Sequence, residues 1–315
     1  MLTLAFILGL LIITQSQTIT PVKYTIPLKR GSTSTYETLT VIRTCSLSQK
    51  YDTVPVLQVN KTLATDEELL ELAKKYGGLT SSAEIFDFGG GDKVQFGSGK
   101  SFRTHGLDHF MLSSDDETRL NNTMSEESAK KVADEFVVGL LKDNPGYPCT
   151  IEYLKTVTGS GRISKNLETG EKIETIHTLK VRYKLYYDGI PIIGNGAAVS
   201  VTVCNFRIVG LEVHLPKVRF KHKTSDIKTP SQAFQEMLDD PWLSEWRYIR
   251  YRNESTFIER HVDNIELCYY YQFTPPNPET ELQMFYLISG MDYLKTSKGI
   301  VKEDTFTTRI PATPE

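Results

Sequence analysis

Leu179-Lys180-Val181-Arg182-Tyr183-Lys184-Leu185-Tyr186-Tyr187 alternates apolar with charged side chains as far as Leu185, and Asp188-Gly189 follows it. A period of two puts Leu179, Val181, Tyr183 and Leu185 on one face of a strand and the lysines and arginine on the other, so one face is buried and the other wet. Asp-Gly is the dipeptide that a tight hairpin turn favours, because both of its central residues take positive φ. Downstream, Ala197, Val199, Val201 and Val203 read as a further strand, and Val209, Leu211, Val213 and Leu215 as its neighbour. Upstream, Ala129, Val132, Ala133, Phe136, Val137, Leu140 and Leu141 form a stripe at helical spacing after Thr123-Met124-Ser125-Glu126, and Asn144-Pro145-Gly146 ends it. A strand near Ile151 to Val157 comes between. The sum is one helix packed on an antiparallel sheet.

The same plan recurs on both sides. Thr65 with Glu68 three residues on reads as a capping box for a helix that Gly77-Gly78 stops. A third helix opens at Thr229-Pro230, with strands around Ile265 to Tyr271, Met284 to Ile288 and Phe306 to Ile310 behind it. Helices precede groups of strands instead of alternating singly with them, which predicts an α+β fold of tandem modules, each a helix packed on an antiparallel sheet. The expected division is a leader over 1–18, an extended Thr- and Ser-rich lead over 19–50, a small strand-helix-strand module over 51–119, and two fuller modules over 120–222 and 223–315.

The 315 residues are 39% hydrophobic and 24% charged with a formal net charge of -3, which excludes a disordered chain and argues against an electrostatic grip on nucleic acid. Leu2 to Ile13 is an apolar run too short to span about 30 Å of hydrocarbon, and Thr14 to Thr18 is small and polar. It reads as a signal peptide or a retained N-terminal anchor, so the protein is expected outside the cytosol, touching a membrane only through that anchor. An exported chain makes Cys45, Cys149, Cys204 and Cys268 candidate disulfide cysteines, with three pairings open, against the alternative of four buried thiols. Asn60, Asn121 and Asn253 head sequons and are candidate glycosylation sites.

Catalytic motifs are scarce. Phe96-Gly97-Ser98-Gly99-Lys100-Ser101 has a GKS, but Val94 stands where a phosphate loop needs its first glycine, and a hairpin turn is the better reading. His105, Asp108 and His109 lie within five residues and supply metal-ligand types, yet Gly106 intervenes and no HExxH glutamate accompanies them. His214, between apolar strand positions, reads as a structural histidine. Tyr186 and Tyr270 sit beside other tyrosines, so alternation sends them away from the helix-covered face. They form either a partner-binding surface or packing between modules.

Segment 125–142 (SEESAKKVADEFVVGLLK), followed by 177–203 with Tyr187-Asp188-Gly189-Ile190-Pro191-Ile192-Ile193-Gly194, resembles PepSY-like domains and thermolysin/fungalysin propeptides. The opening Thr229-Pro230-Ser231-Gln232-Ala233 and the late strand 284–290 are similar to YycI-like extracytoplasmic regulators, so the resemblance covers about 120–311. It implies a cystatin-like helix on a sheet and transfers no catalytic residues. With no HExxH in the chain, restraint of a peptidase is expected in trans. The expected function is therefore a secreted or surface-tethered, non-enzymatic regulatory protein that binds a protein partner, a peptidase or a membrane sensor, and needs no cofactor. The alternatives are a metal-assisted hydrolase using His105, Asp108 and His109, and a structural spacer at the surface.

Overall fold

A computed structural model describes residues 20–28, 37–60, 65–78, 84–87, 93–97, 100–106, 109–114, 122–165, 172–239, 257–272, 279–296 and 299–314. The leader, Asp108, Asn121 and Asn253 lie outside the described residues. In chain order the elements are β1 (Val22–Leu28), β2 (Glu37–Arg43), β3 (Val54–Asn60), α1 (Asp66–Gly77), β4 (Glu84–Asp87), β5 (Lys93–Gly97), β6 (Lys100–Gly106) and β7 (His109–Ser114). Next come α2 (Glu126–Asp143), β8 (Thr150–Lys165), β9 (Lys172–Tyr187), β10 (Ile190–Ile193), β11 (Ala198–Cys204), β12 (Arg207–His214) and β13 (Lys217–Thr224). The chain closes with α3 (Pro230–Asp239), β14 (Phe257–Tyr270), β15 (Glu279–Glu281), β16 (Gln283–Thr296) and β17 (Gly299–Pro311).

The expected α+β class, a helix repeated on a small antiparallel sheet, is corrected by this architecture. Strands dominate: the three described helices have 12, 18 and 10 residues, against seventeen strands. The sheet is also large and mixed, because β14 runs parallel to β10 through Ile192↔Tyr269 and parallel to β2 through Ile258↔Leu39. Periodicity of two reports which face of a strand is apolar and is blind to the direction and identity of the partner strand.

The chain forms two compact units, both discontinuous in sequence. One gathers 49–229, 266–286 and 309–315. Its sheet is organised around β9, the strand of the period-two run. β8 pairs along one edge of β9, and β10 and then β11 pair in succession along the other. From β11 the ladder continues through β12, β7, β6 and β5 to β4, all antiparallel. Asp188 (φ 50°) and Gly189 (φ 75°) both take the left-handed conformation, which gives the two-residue turn that joins β9 to β10. Gly194 (φ 112°) then lets the chain leave β9 and run beside Tyr271.

The apolar face of β9 carries Val181 (0% exposed) and Leu185 (0%), and α2 lays Ala129, Ala133, Val137 and Leu140 over this part of the sheet. Each fully buried aliphatic side chain contributes about 1.5–3 kcal/mol. Tyr183 Oη closes the contact by donating to Asp134 Oδ1 at 2.8 Å. A second layer, the three-stranded sheet β13-β3-β15, brings Val54, Leu57 and Val59 into the core, and Tyr269 Oη donates to the Pro55 carbonyl at 2.6 Å.

The other unit gathers 1–48, 230–265 and 287–308. Here β1 and β2 form an antiparallel pair, β2 lies parallel to the first half of β14, and Phe234 of α3 packs edge-on against Tyr24 with centroids 5.3 Å apart. Arg260 and Asp292 are buried together in it as a two-pronged ion pair.

Candidate functional site

Two helix ends and three strands in the 49–229 segment line a cleft of ≈ 690 Å³. Thr65 and Glu68 cap the start of α1 reciprocally, and Gly78 (φ 63°) stops it, so Lys75 and Tyr76 arrive at the cleft on its last turn. α2 ends where Asn144 caps it: the Asn144 amide N–H donates to the Leu141 carbonyl at 3.2 Å, and Nδ2 donates to the Leu140 carbonyl at 2.9 Å. Gly146 (φ 79°) turns the chain, and Tyr147 N–H donates back to the Asn144 carbonyl at 3.1 Å. The floor is apolar, made by Leu72, Phe110, Leu140 and Leu215, with the Tyr76 ring stacked on Phe110 at 4.9 Å.

The charged groups are Lys75, Asp143, Lys217 and Arg219. Lys75 Nζ lies 2.8 Å from Asp143 Oδ1, and Tyr76 Oη donates to Asp143 Oδ2 at 2.7 Å. The hydrogen bonds from Lys75 and then Tyr76 hold the Asp143 carboxyl below its ordinary range, while burial and then Asp143 push the Tyr76 phenol well above its own. Asn60, the first of the sequon residues, ends β3 beside the cleft, and its Oδ1 is buried with no hydrogen-bond partner among the described residues.

Of the expected His105, Asp108 and His109 cluster, Asp108 and the His105 side chain lie outside the described residues. His105 belongs to β6, and Gly106 pairs with His109 as β7 begins. His109 is buried opposite His214 of β12, with the two Nδ1 atoms 2.9 Å apart, so one ring donates the proton between them and the other accepts it. Among the described residues no three His, Cys, Asp or Glu side chains come together as metal ligands.

His214 Nε2 lies 3.8 Å from Glu212 Oε1, and Glu212 also accepts from Lys180 Nζ at 2.9 Å and Ser200 Oγ at 3.0 Å. Burial alone raises the Glu212 carboxyl, but the Lys180 hydrogen bond and charge outweigh it and the net shift is downward. A folded-state value below the unfolded one gives stability that is fully present above the ordinary value of 4.5 and is lost as the pH falls through the folded value. Glu212→Gln is therefore expected to flatten the acid limb of a stability-versus-pH curve below about pH 4.5. An unaltered acid limb in urea titrations would show that this carboxylate is not coupled to folding.

Tyr186 and Tyr270 are brought to one face of the sheet. Tyr186 pairs with Pro191, and Ile193 two residues on pairs with Tyr270, so all four side chains project to the same side. Lys184 Nζ stands 5.5 Å from the centroid of the Tyr186 ring and makes an ion pair with Glu266 at 3.0 Å. Arg309 stacks on the Tyr270 ring at 4.2 Å, and Phe285 meets that ring edge-on at 5.7 Å. Both tyrosines are half-buried.

The four cysteines are free thiols: Cys45 is half-buried, and Cys149, Cys204 and Cys268 are buried. Burial pushes the Cys149 thiol up to about 11, and Cys268 Sγ donates to the Phe285 carbonyl at 3.3 Å. The cleft itself escapes a reading by motif. Its parts are visible in sequence as a capping box, an Asn-Pro-Gly stop and alternating residues near Lys217, and no local pattern says that they converge.

No protein-family model and no curated protein matches the chain. Among solved structures it is similar to an uncharacterized protein from Eubacterium rectale, at 12% identity with a TM-score of 0.45, over 91% of this chain and 89% of that one.

Proposed function

We propose that the protein is a non-enzymatic binding protein, secreted or held at the outer face of a membrane, that acts on a protein partner through the face bearing Tyr186 and Tyr270. The observation that carries this reading is the register that sets both rings on one side of β9, β10 and β14. Tyrosine and arginine are the residues that concentrate binding energy at protein interfaces. Here Arg309 and Lys184 already hold the rings from above or beside, so docking freezes few rotamers. Edge-strand addition is less suited, because β8 carries register breaks at Tyr153/Lys155, Thr158/Ser160 and Ser160/Gly161 that interrupt its ladder. The apolar leader supports export, and the PepSY-like resemblance of 125–203 puts a peptidase or a membrane sensor first among partners.

A photo-crosslinking amino acid at position 186, with one at exposed Phe206 as control, tests this in the protein's own extracytoplasmic fraction. The expected result is one partner captured from position 186 and not from 206. Tyr186→Ala with Tyr270→Ala should weaken the purified pair roughly 30-fold or more. Equal capture from both positions, or an unchanged affinity in the double variant, would remove this face as the interface.

A further inference from the structure

We propose that the Tyr186/Tyr270 face takes an acidic segment of its protein partner, which sets apolar side chains on the two tyrosines and carboxylates on the cations around them. The inference rests on the reading of that face as the interface, and it supplies the chemistry of what docks there.

The charge around the tyrosines is set by register. Val181 and Tyr183 are buried toward α2, so Lys180, Arg182 and Lys184 of β9 share the other face with Tyr186. The break at Tyr153/Lys155 in β8 turns Lys155 to that same face, opposite Arg182, while Glu152 stands opposite Lys184. Two cations join them from other parts of the chain: Lys50, within electrostatic reach of Glu266 and Tyr186, and Arg309, stacked on Tyr270. Lys180 is paired with Glu212 and Lys184 with Glu266. Lys50, Lys155, Arg182 and Arg309 are exposed and make no salt bridge with the described residues, against Glu152 as the exposed carboxylate of β8. This face is therefore positive in a chain whose formal net charge is -3, and what it draws is an acidic surface. A second copy of the chain docked face to face would set these cations against one another.

Arg309 favours a carboxylate in particular. Its guanidinium lies 4.2 Å from the Tyr270 centroid and 6.0 Å from that of Phe285, so the rings hold it in place while its exposed N–H groups can meet a carboxylate two-pronged. An unbroken polyphosphate fits less well, because Glu152 and Glu266 flank Lys184 and would meet its charges. A peptide can set a neutral residue there.

The test uses the full chain and dye-labelled Glu-Glu-Leu-Ala-Phe-Glu-Glu, amidated at its end, followed by fluorescence polarisation. Saturable binding is expected, weakened about tenfold or more when glutamine replaces every glutamate of the peptide. It should weaken similarly when salt is raised from about 0.1 M to about 1 M, which cuts the screening length from about 10 Å to about 3 Å. Arg182→Glu with Arg309→Glu should cost about tenfold or more, as should Tyr186→Ala with Tyr270→Ala. Lys131→Glu with Lys223→Glu makes the same change of net charge at exposed positions on α2 and β13, and there the affinity should stay within about twofold. Circular dichroism should report one fold for all of them. A glutamine peptide bound as tightly, indifference to salt, equal loss in the Lys131/Lys223 pair, no saturation at millimolar peptide, or displacement by oligothymidylate of matched charge as effective as by unlabelled peptide would each overturn the assignment. A partner captured at position 186 that binds the Arg182→Glu/Arg309→Glu protein unchanged likewise overturns it, and leaves the tyrosine interface standing. No capture at 186, with arginine-dependent peptide binding intact, counts against the protein-partner reading and leaves the acidic-ligand site in place.

Discussion

Asp292→Ala is expected to lower the unfolding free energy by about 3–5 kcal/mol. Arg260 Nε donates to Asp292 Oδ1 at 2.7 Å and Nη2 donates to Oδ2 at 3.0 Å, with side-chain exposures of 5% and 8%. The guanidinium is closed in from the side by Phe306, 4.2 Å away. Removal of the carboxylate leaves a cation buried without its counter-charge, which costs far more than the pair contributes when intact. Arg260→Met combined with Asp292→Leu should restore most of the loss, because no charge is then buried. Urea unfolding of the single and double variants measures both. A double variant as unstable as Asp292→Ala would mean that packing, and not the unpaired charge, sets the penalty.

Gly194→Ala follows, with an expected loss of about 2–6 kcal/mol from positive-φ strain and overpacking together. A Cβ on Gly194 (φ 112°) would stand 2.2 Å from the Tyr271 carbonyl oxygen, a backbone atom that cannot rotate aside. That carbonyl also accepts from Gly196 N–H at 3.2 Å, and Tyr271 N–H donates to the Ile193 carbonyl at 2.8 Å, so the strain is delivered to the parallel seam of β10 and β14. Gly139→Ala is the matched control. It lies inside α2 with nothing within 4 Å of a new Cβ, and there alanine should stabilise by about 0.5–1 kcal/mol. Similar midpoints for the two variants in thermal or urea melts would show that the Gly194 corner yields without cost.

Much of the candidate chemistry could be read locally, and its assembly could not. The alternation that exposes Tyr186 and Tyr270 is a property of each strand. Their meeting on one face depends on β10, four residues that bridge β9 to a strand some 77 positions later in the chain. His109 and His214 show the same limit in reverse. Closeness in sequence grouped His109 with His105 and Asp108, whereas cross-strand pairing of β7 with β12 hands it to a residue 105 positions away. Cleft residues from α1, α2, β3 and β13 carry ordinary capping and strand signals, and only their convergence makes a site.

What the amino-acid sequence determined by itself are the features that an isolated segment already possesses. These are the capping box at Thr65, the apolar stripe of α2, the Asp188-Gly189 turn and the two-faced strand β9, each set by backbone sterics and side-chain spacing within a few residues. The tertiary structure alone decided that the sheet is mixed and strand-rich instead of a repeated helix on a small antiparallel sheet. Strand direction and partner choice are settled by hydrogen-bond closure between distant segments, and a one-dimensional pattern of apolar and polar residues is nearly the same for a parallel and an antiparallel neighbour.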